Sequence, residues 1–187
     1  MLILLALLAD ANGVVGQRMS RMTALYEQVC LKAFPDDKAV EALMSAQHAR
    51  PLTAEEVKIT MRDDPAEGWA LTEDGNPSVW IELPPFHACS VRWNMPELGN
   101  LGQYQAVAAK YEAGLGGFHP IDPLDADDGA IHIHAVGERR ALSGGAAETL
   151  FIIDQHITDP QRRAAGETGY VLRFVHQFAP PPPGSPK

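Results

Sequence analysis

Residues 68–93, GWALTEDGNPSVWIELPPFHACSVRW, contain three short runs in which apolar and polar residues alternate. Their apolar members are Trp69 and Leu71, then Val79, Ile81 and Leu83, then Cys89, Val91 and Trp93. Alternation with a period of two residues is typical of a β-strand that buries one face. The turn-forming segments EDGNP and PPFH separate the runs, and short turns of this kind join antiparallel neighbours. The stretch therefore predicts a three-stranded antiparallel meander.

Helical patterns come before this meander. Residues 17–34 carry apolar side chains at helical spacing and end at a proline, and residues 36–48 begin with an acidic first turn. Residues 53–64 start with Thr53 and Glu56, which have the spacing of a capping box. We therefore predict three helices before the sheet.

One more helix and a second group of strands follow the meander. Residues 99–113 have helical spacing until GLGG stops the pattern, and 118–129 predict a loop. The last three predicted strands are 131–138, 149–158 and 169–178. The predicted fold class is α+β, with helices packed on an antiparallel sheet in the order meander, helix, meander. We assign 12–178 to this single domain and 179–187, APPPPGSPK, to a disordered proline-rich tail.

Composition and charge exclude two classes of partner. The chain has 187 residues, of which 45% are hydrophobic and 21% charged, as expected for one globular domain. Its formal net charge is −9, and the sequence has no basic stripe with interleaved aromatic residues. Phosphate backbones and anionic membrane surfaces would be repelled on average. We therefore expect no nucleic-acid binding and no stable membrane insertion.

The N-terminus, MLILLALLADANG, has the pattern of an export signal. An apolar run meets Ala9-Asp10-Ala11, a small-x-small sequence of the kind that signal peptidase accepts, so residues 1–11 are interpreted as a signal peptide. The run is too short to cross a bilayer, which requires about 20 apolar residues. The first basic residue is Arg18, so the usual basic start is missing, and a buried first helix is the alternative. The export interpretation predicts a periplasmic or secreted protein.

The two cysteines, Cys30 and Cys89, lie far apart and in no metal-binding or redox motif. Cys30 lies on the apolar face of its predicted helix, together with Met22 and Tyr26. Cys89 lies on the same strand face as Val91 and Trp93. Both sulfurs are therefore expected to point inward, and an isolated pair in an oxidising compartment favours one disulfide. The alternative is a catalytic cysteine paired with a histidine, but the flanking sequence of neither thiol would activate it.

Two of these segments together resemble a known group of proteins. YEQVCLKAFPDDKAVEALMSAQ and GWALTEDGNPSVWIELPPFHACSVRW, within residues 20–93, are similar to small exported proteobacterial proteins of unknown function. In that group a signal peptide precedes a cysteine-bearing helix, and a tryptophan-containing strand leads to a second cysteine. The resemblance implies a compartment and a disulfide. It supplies no catalytic residue, and this chain departs from the group in lacking a basic start.

The segment 131–140, IHIHAVGERR, places two histidines on one face of a predicted strand. Side chains in a strand alternate between faces, and the more apolar face is normally buried. We therefore expect Ile131 and Ile133 to face the core, and His132 and His134 to lie on the outer face of the sheet.

The next strand is expected to add Asp154 and His156 to the same outer face. A register with His134 opposite Asp154 and His132 opposite His156 would gather all four side chains. Three imidazoles and a carboxylate could bind Zn²⁺ or Ni²⁺, or transfer a proton. An open sheet face offers no dry, concave setting, and Arg173 of the last strand is expected to compete for Asp154. We interpret the four residues as the polar outer face of an ordinary sheet, with a metal site or hydrolytic enzyme as the alternative.

No residue is assigned a catalytic role and no cofactor is predicted. The acidic segment DADDG at 125–129 lacks the glutamate that closes a calcium loop, so we interpret it as solvated. The predicted function is binding or a structural role in the cell envelope, with a protein or small-molecule partner. The metal or enzyme alternative would gain support if the 99–113 helix or the 118–129 loop covered the histidine face.

Overall fold

The computed structural model describes residues 2–62 and 64–180 and has an α+β architecture. The helices are α1 (Leu2–Tyr26), α2 (Asp37–Ala46), α3 (Ala54–Met61), α4 (Gly102–Leu115) and α5 (Pro160–Ala164). The strands are β1 (Arg50–Pro51), β2 (Ala66–Ala70), β3 (Ser78–Glu82), β4 (His87–Met95), β5 (His119–Pro120), β6 (Leu124–Asp128), β7 (Ile131–Ala141), β8 (Ala147–Ile157) and β9 (Tyr170–Ala179). The predicted fold class is confirmed.

The nine strands form one antiparallel sheet. Its order is β1-β2-β3-β4-β9-β8-β7, and β5 and β6 both pair with the outer edge of β7. Both predicted meanders are present, and the pairing of β4 with β9 joins them, with Val91 opposite Phe174. The last strand of the chain therefore lies in the middle of the sheet, where its Leu172 and Phe174 are fully buried.

The helical layer packs on one face of this sheet. α1 continues into a π-helical segment, Glu27–Ala33, and both contact β4. The buried side chains of α1 recur at intervals of three or four residues, as at Val15, Met19 and Met22, and become denser toward Tyr26, as expected for a helix that presents an apolar stripe to a sheet. The predicted capping box of α3 is also present, with Thr53 and Glu56 bonded reciprocally.

The predicted disulfide between Cys30 and Cys89 is present, with the two Cα atoms 5.3 Å apart. It links the π-helical segment to β4. Both cysteines are fully buried in the core. The bridge therefore ties the helical layer to the sheet.

The segment 118–129 is not a loop, as the sequence had suggested, because it contains β5 and β6. Both strands lie on the edge of β7, and β6 joins β7 through a two-residue turn at Gly129 and Ala130. Gly129 has φ +61°, a left-handed conformation that suits glycine. The sequence LDADD has low strand propensity, so its pairing comes from this turn and the neighbouring edge. Residues 181–187 of the predicted tail lie outside the described residues, and Ala179 belongs to β9.

The prediction that the histidines lie on the outer face of the sheet is wrong. His132 and His134 share the face of β7 that carries Val136, which packs against the main core beneath the helices. Asp154 lies opposite Leu172, which is fully buried on that same side. The residues predicted to be inward, Ile131, Ile133, Phe151, Ile153 and Ile157, occupy the other face, where they are half-buried.

Candidate ligand-binding cleft and histidine patch

Five facing pairs of residues run along β7 and β8 on the helix-covered side of the sheet. In order they are Arg140–Glu148, Glu138–Leu150, Val136–Ile152, His134–Asp154 and His132–His156. The last two pairs are in the register that the sequence predicted. α4 covers one end of this series, and β6 flanks the other end. The series therefore passes from a buried polar group, through an apolar floor, to a cluster of imidazoles and carboxylates.

A cleft of about 450 Å³ lies above the middle of the series, between α4 and the segment that leads into β6. Its lining residues are Tyr104, Gln105, Ala108, Ala109, Glu112, Pro120, Ile121, Pro123, Val136, Gly137, Glu138, Leu150 and Ile152. Small-molecule sites in proteins have volumes of roughly 300–1,000 Å³ and mostly apolar walls with a few polar groups. The size and lining of the cleft fit that description.

Two carboxyl groups, Glu112 of α4 and Glu138 of β7, meet at one side of the cleft. Burial, followed by the charge and the hydrogen bond of Glu138, raises the pKa of Glu112 above its ordinary value. Neither carboxyl has a basic side chain within 4.0 Å among the described residues. The pair is thus negatively charged without local compensation, and a positive group between the two side chains would stabilise both.

The four residues of the alternative metal-site interpretation come together with two further aspartates in a histidine patch. We define the patch as Asp125, Asp127, His132, His134, Asp154 and His156. Nδ1 of His132 lies 2.9 Å from Oδ1 of Asp127, and Asp125 contacts His132 and His134 at 3.3 Å each. The rings of His132 and His156 contact each other at a tilt of 46°, with centroids 5.1 Å apart. Sequence reasoning missed the two aspartates because it treated their segment as a solvated loop.

As they stand, these side chains do not form a metal centre. Within the described ranges, no three His, Cys, Asp or Glu side chains are arranged so that they could hold one ion. Arg173, which was expected beside Asp154, lies on the opposite face of the sheet and donates a hydrogen bond to Gln155. The side chain of His132 is 25% exposed, whereas Asp125 and Asp127 are 66% and 72% exposed. The patch is therefore a half-buried histidine layer beneath exposed aspartates.

A second polar group is buried at the opposite end of the series. His176 and Glu148 are both fully buried, with Nε2 of the histidine 2.8 Å from Oε1 of the carboxylate. The Tyr111 hydroxyl donates to the same oxygen at 2.7 Å, and Arg140 donates to the other. Burial alone would raise the pKa of Glu148, but the three donors outweigh it and lower the pKa to about 2. Neither residue lines the cleft beside α4, so we treat the network as part of the fold.

A larger groove of about 630 Å³ lies between α3 and β2. Its walls carry charges of both signs, including Lys58, Arg62 and Glu67, so the groove does not favour a ligand of either charge. α3 itself has no buried side chain, which makes its wall of the groove less firmly fixed than the core-backed floor of the cleft. The cleft beside α4 is therefore the better candidate site.

No family model, curated protein or solved structure matches the chain. The resemblance of residues 20–93 to exported proteobacterial proteins stays a prediction. Functional inference consequently has to come from the chemistry of the cleft and the patch.

Proposed function

We propose that this protein is an exported, non-catalytic binding protein that takes a small molecule in the cleft between α4 and β7. The observation that supports this proposal best is the combination of an apolar floor, formed by Val136, Leu150 and Ile152, with the uncompensated pair Glu112 and Glu138. Apolar walls provide affinity, and a few polar groups orient the ligand. The ligand class that suits these walls has an apolar body and a positively charged amine.

The chemistry of the lining favours binding over catalysis. Among the described residues, no Ser, Thr, Cys, Lys or His lines the cleft, so these residue types supply no nucleophile to its described walls. The two carboxyls are close enough to share a hydrogen bond. Glycosidases keep their carboxyl groups farther apart, at about 5–9.5 Å. A glycosidase at this site therefore has less support than a binding protein.

A matched series of eight-carbon probes tests the ligand class. We expect n-octylamine to bind at least tenfold more tightly than n-octanoate, with n-octanol in between, because a tenfold change requires only about 1.4 kcal/mol of favourable electrostatics. Isothermal titration calorimetry at low ionic strength measures the three affinities. The double variant Glu112→Gln/Glu138→Gln should remove the difference between amine and alcohol.

Two tryptophan variants of α4 determine whether the cleft is the binding site. Ala109 is exposed and lines the cleft, whereas Ala106 is exposed on the same helix and does not line it. Ala109→Trp should therefore weaken octylamine binding by tenfold or more, and Ala106→Trp should leave it unchanged. Equal binding by both variants, or no binding of any probe to the wild-type protein, would contradict the proposal.

Export is the second part of the proposal, and the buried disulfide supports it because disulfides persist mainly in oxidising compartments. Among the described residues, no helix is long and apolar enough to cross a membrane. The described core contacts of α1 begin at Val15, so cleavage close after Ala11 would leave them in place. We expect N-terminal sequencing of the protein from an envelope fraction to begin near Asn12. A full-length chain beginning at Met1 in the cytoplasm would refute export.

A further inference from the structure

The strand β6 is an edge strand with little apolar contact of its own. It pairs with 131–135 of β7 through a two-residue turn, and none of its side chains is buried. Its five residues include three aspartates. The attachment of β6 therefore depends on its backbone hydrogen bonds and on the side chains that it presents to the histidine patch.

The contacts of that face place a carboxylate beside each ring nitrogen of one histidine. His132 has Asp127 at 2.9 Å from Nδ1 and Asp125 at 3.3 Å from Nε2. The Nδ1 contact is a hydrogen bond, which a neutral ring can also donate, whereas the Nε2 contact is a close approach of opposite charges when the ring is an imidazolium. Protonation of the ring therefore strengthens both contacts. Asp125 also lies 3.3 Å from Nδ1 of His134.

The groups around His132 come from every strand that adjoins it. β6 contributes Asp125 and Asp127, and β8 contributes the buried Asp154 and His156, whose ring contacts that of His132 at a tilt. Tyr170 of β9 lies against His156 with ring centroids 5.0 Å apart. With neutral histidines the patch contains three carboxylates and no cation. With protonated histidines the charges compensate, and the aspartates of β6 are attracted to β7.

We propose that β6 is a proton-dependent strap that protonated histidines of β7 hold in place and that detaches when they lose their protons. The residues just before it, Pro120, Ile121 and Pro123, form one wall of the cleft. Detachment of β6 would free Pro123, the part of this wall next to the strand, and widen the entrance there, whereas Pro120 and Ile121 stay bonded to β7. The effect on a ligand rests on the proposed function, whereas the detachment of the strand does not.

The direction of the effect follows from linkage. The hydrogen bond to Asp127, with the charges of Asp125 and Asp154, raises the pKa of His132 above its ordinary value. A raised pKa means that the ion pairs stabilise the attached strap fully below about pH 6.5, the ordinary value for histidine. That contribution is lost as the pH rises through the raised pKa of His132. The strap is therefore attached in mildly acidic solution and loosens in mildly alkaline solution.

Hydrogen exchange of the full-length protein, followed by mass spectrometry, tests the proposal. After correction for intrinsic exchange, protection of the peptide that covers 121–129 should fall about tenfold between pH 6 and pH 8.5, as expected for several exposed ion pairs. Peptides from β8 and β9 serve as the internal reference and should not change. An unchanged protection of the 121–129 peptide in the wild-type protein would overturn the proposal by itself.

Two variants of β6 separate the ion pairs from a general charge effect. Asp125→Asn/Asp127→Asn should have weak protection at both pH values, whereas Asp128→Asn, which alters the opposite face of β6, should keep the wild-type fall. A pH-dependent fall that persists in the double variant would also overturn the proposal.

Octylamine binding kinetics at the two pH values form a separate measurement. Faster binding at pH 8.5 supports gating of the cleft, and a loose strap without any binding refutes only the proposed function.

Discussion

The double variant Cys30→Ser/Cys89→Ser is expected to unfold at a temperature roughly 10 °C below that of the oxidised wild-type protein. The disulfide links residues 59 positions apart, and loop-closure entropy gives it about 4 kcal/mol of stabilisation. In a chain of this size each kcal/mol shifts the melting temperature by about 2–4 °C. Scanning calorimetry of the two proteins at neutral pH measures the difference.

A third protein separates the effect of losing the disulfide from the effect of burying two new hydroxyl groups. Both cysteines are fully buried, so serine places a polar group in the core at each position. The variant Cys30→Ala/Cys89→Ala lacks these hydroxyls and should still melt several degrees below the wild-type protein. A melting temperature within 2 °C of the wild type would mean that the bridge contributes little, and that core packing alone holds the helical layer on the sheet.

The order of elements could be predicted because each strand and helix carries its own local pattern. The alternation in 68–93 and the capping box of Thr53 are properties of neighbouring residues, so the sequence alone reveals them. The pairing of β4 with β9 could not be predicted in this way. It joins segments from opposite ends of the domain, and no local pattern specifies which strand edge meets which.

The candidate site was predicted only in part. The register that places His134 opposite Asp154 follows from strand parity and a short connection, and the structure confirms it. Parity does not tell which face is buried when both faces carry apolar residues, and β7 and β8 are of that kind. The packing of α4 on the sheet and the pairing of β9 with β4 decide which face of β7 and β8 is buried, and neither contact is local in the sequence. The pair Glu112 and Glu138 was missed for the same reason, because one residue lies on a helix and the other on a strand.

The buried network around Glu148 is also a product of long-range contacts, and it makes the core sensitive to single substitutions. His176 approaches the carbonyl oxygen of Cys30 with Nδ1 at 2.7 Å, and a carbonyl oxygen only accepts, so Nδ1 carries a hydrogen. Nε2 and Oε1 of Glu148 then share one further proton. The pKa of Glu148 is lowered to about 2, so its carboxyl group is ionised in neutral solution. A histidine and a negative carboxylate thus lie hydrogen-bonded side by side in the core, and both are fully buried.

Removal of either partner should therefore destabilise the protein strongly. We expect Glu148→Leu and His176→Phe each to lower the free energy of unfolding by about 3–5 kcal/mol, because each leaves a buried polar or charged group without one of its hydrogen-bond partners. The double variant should lose clearly less than the sum of the two, since neither member of the pair is left behind without the other. Urea unfolding of the wild-type protein, the two single variants and the double variant measures the four free energies of this double-mutant cycle. Tyr111→Phe, which removes one donor from a half-buried position, should cost only about 1 kcal/mol.

The same network predicts how the free energy of unfolding depends on pH in acidic solution. A carboxyl group whose pKa is lower in the folded than in the unfolded protein stabilises the fold above its ordinary pKa, and that contribution is lost as the pH falls toward the folded value. For Glu148 the loss should occur between about pH 4.5 and pH 2. Glu148→Gln keeps the size of the side chain but cannot ionise, so its stability should fall less steeply than that of the wild type over this range. Thr149→Val, at the next buried position of β8, should keep the wild-type slope. Equal slopes for Glu148→Gln and the wild-type protein would show that Glu148 does not titrate in this range and that the three donors are not what keeps it charged.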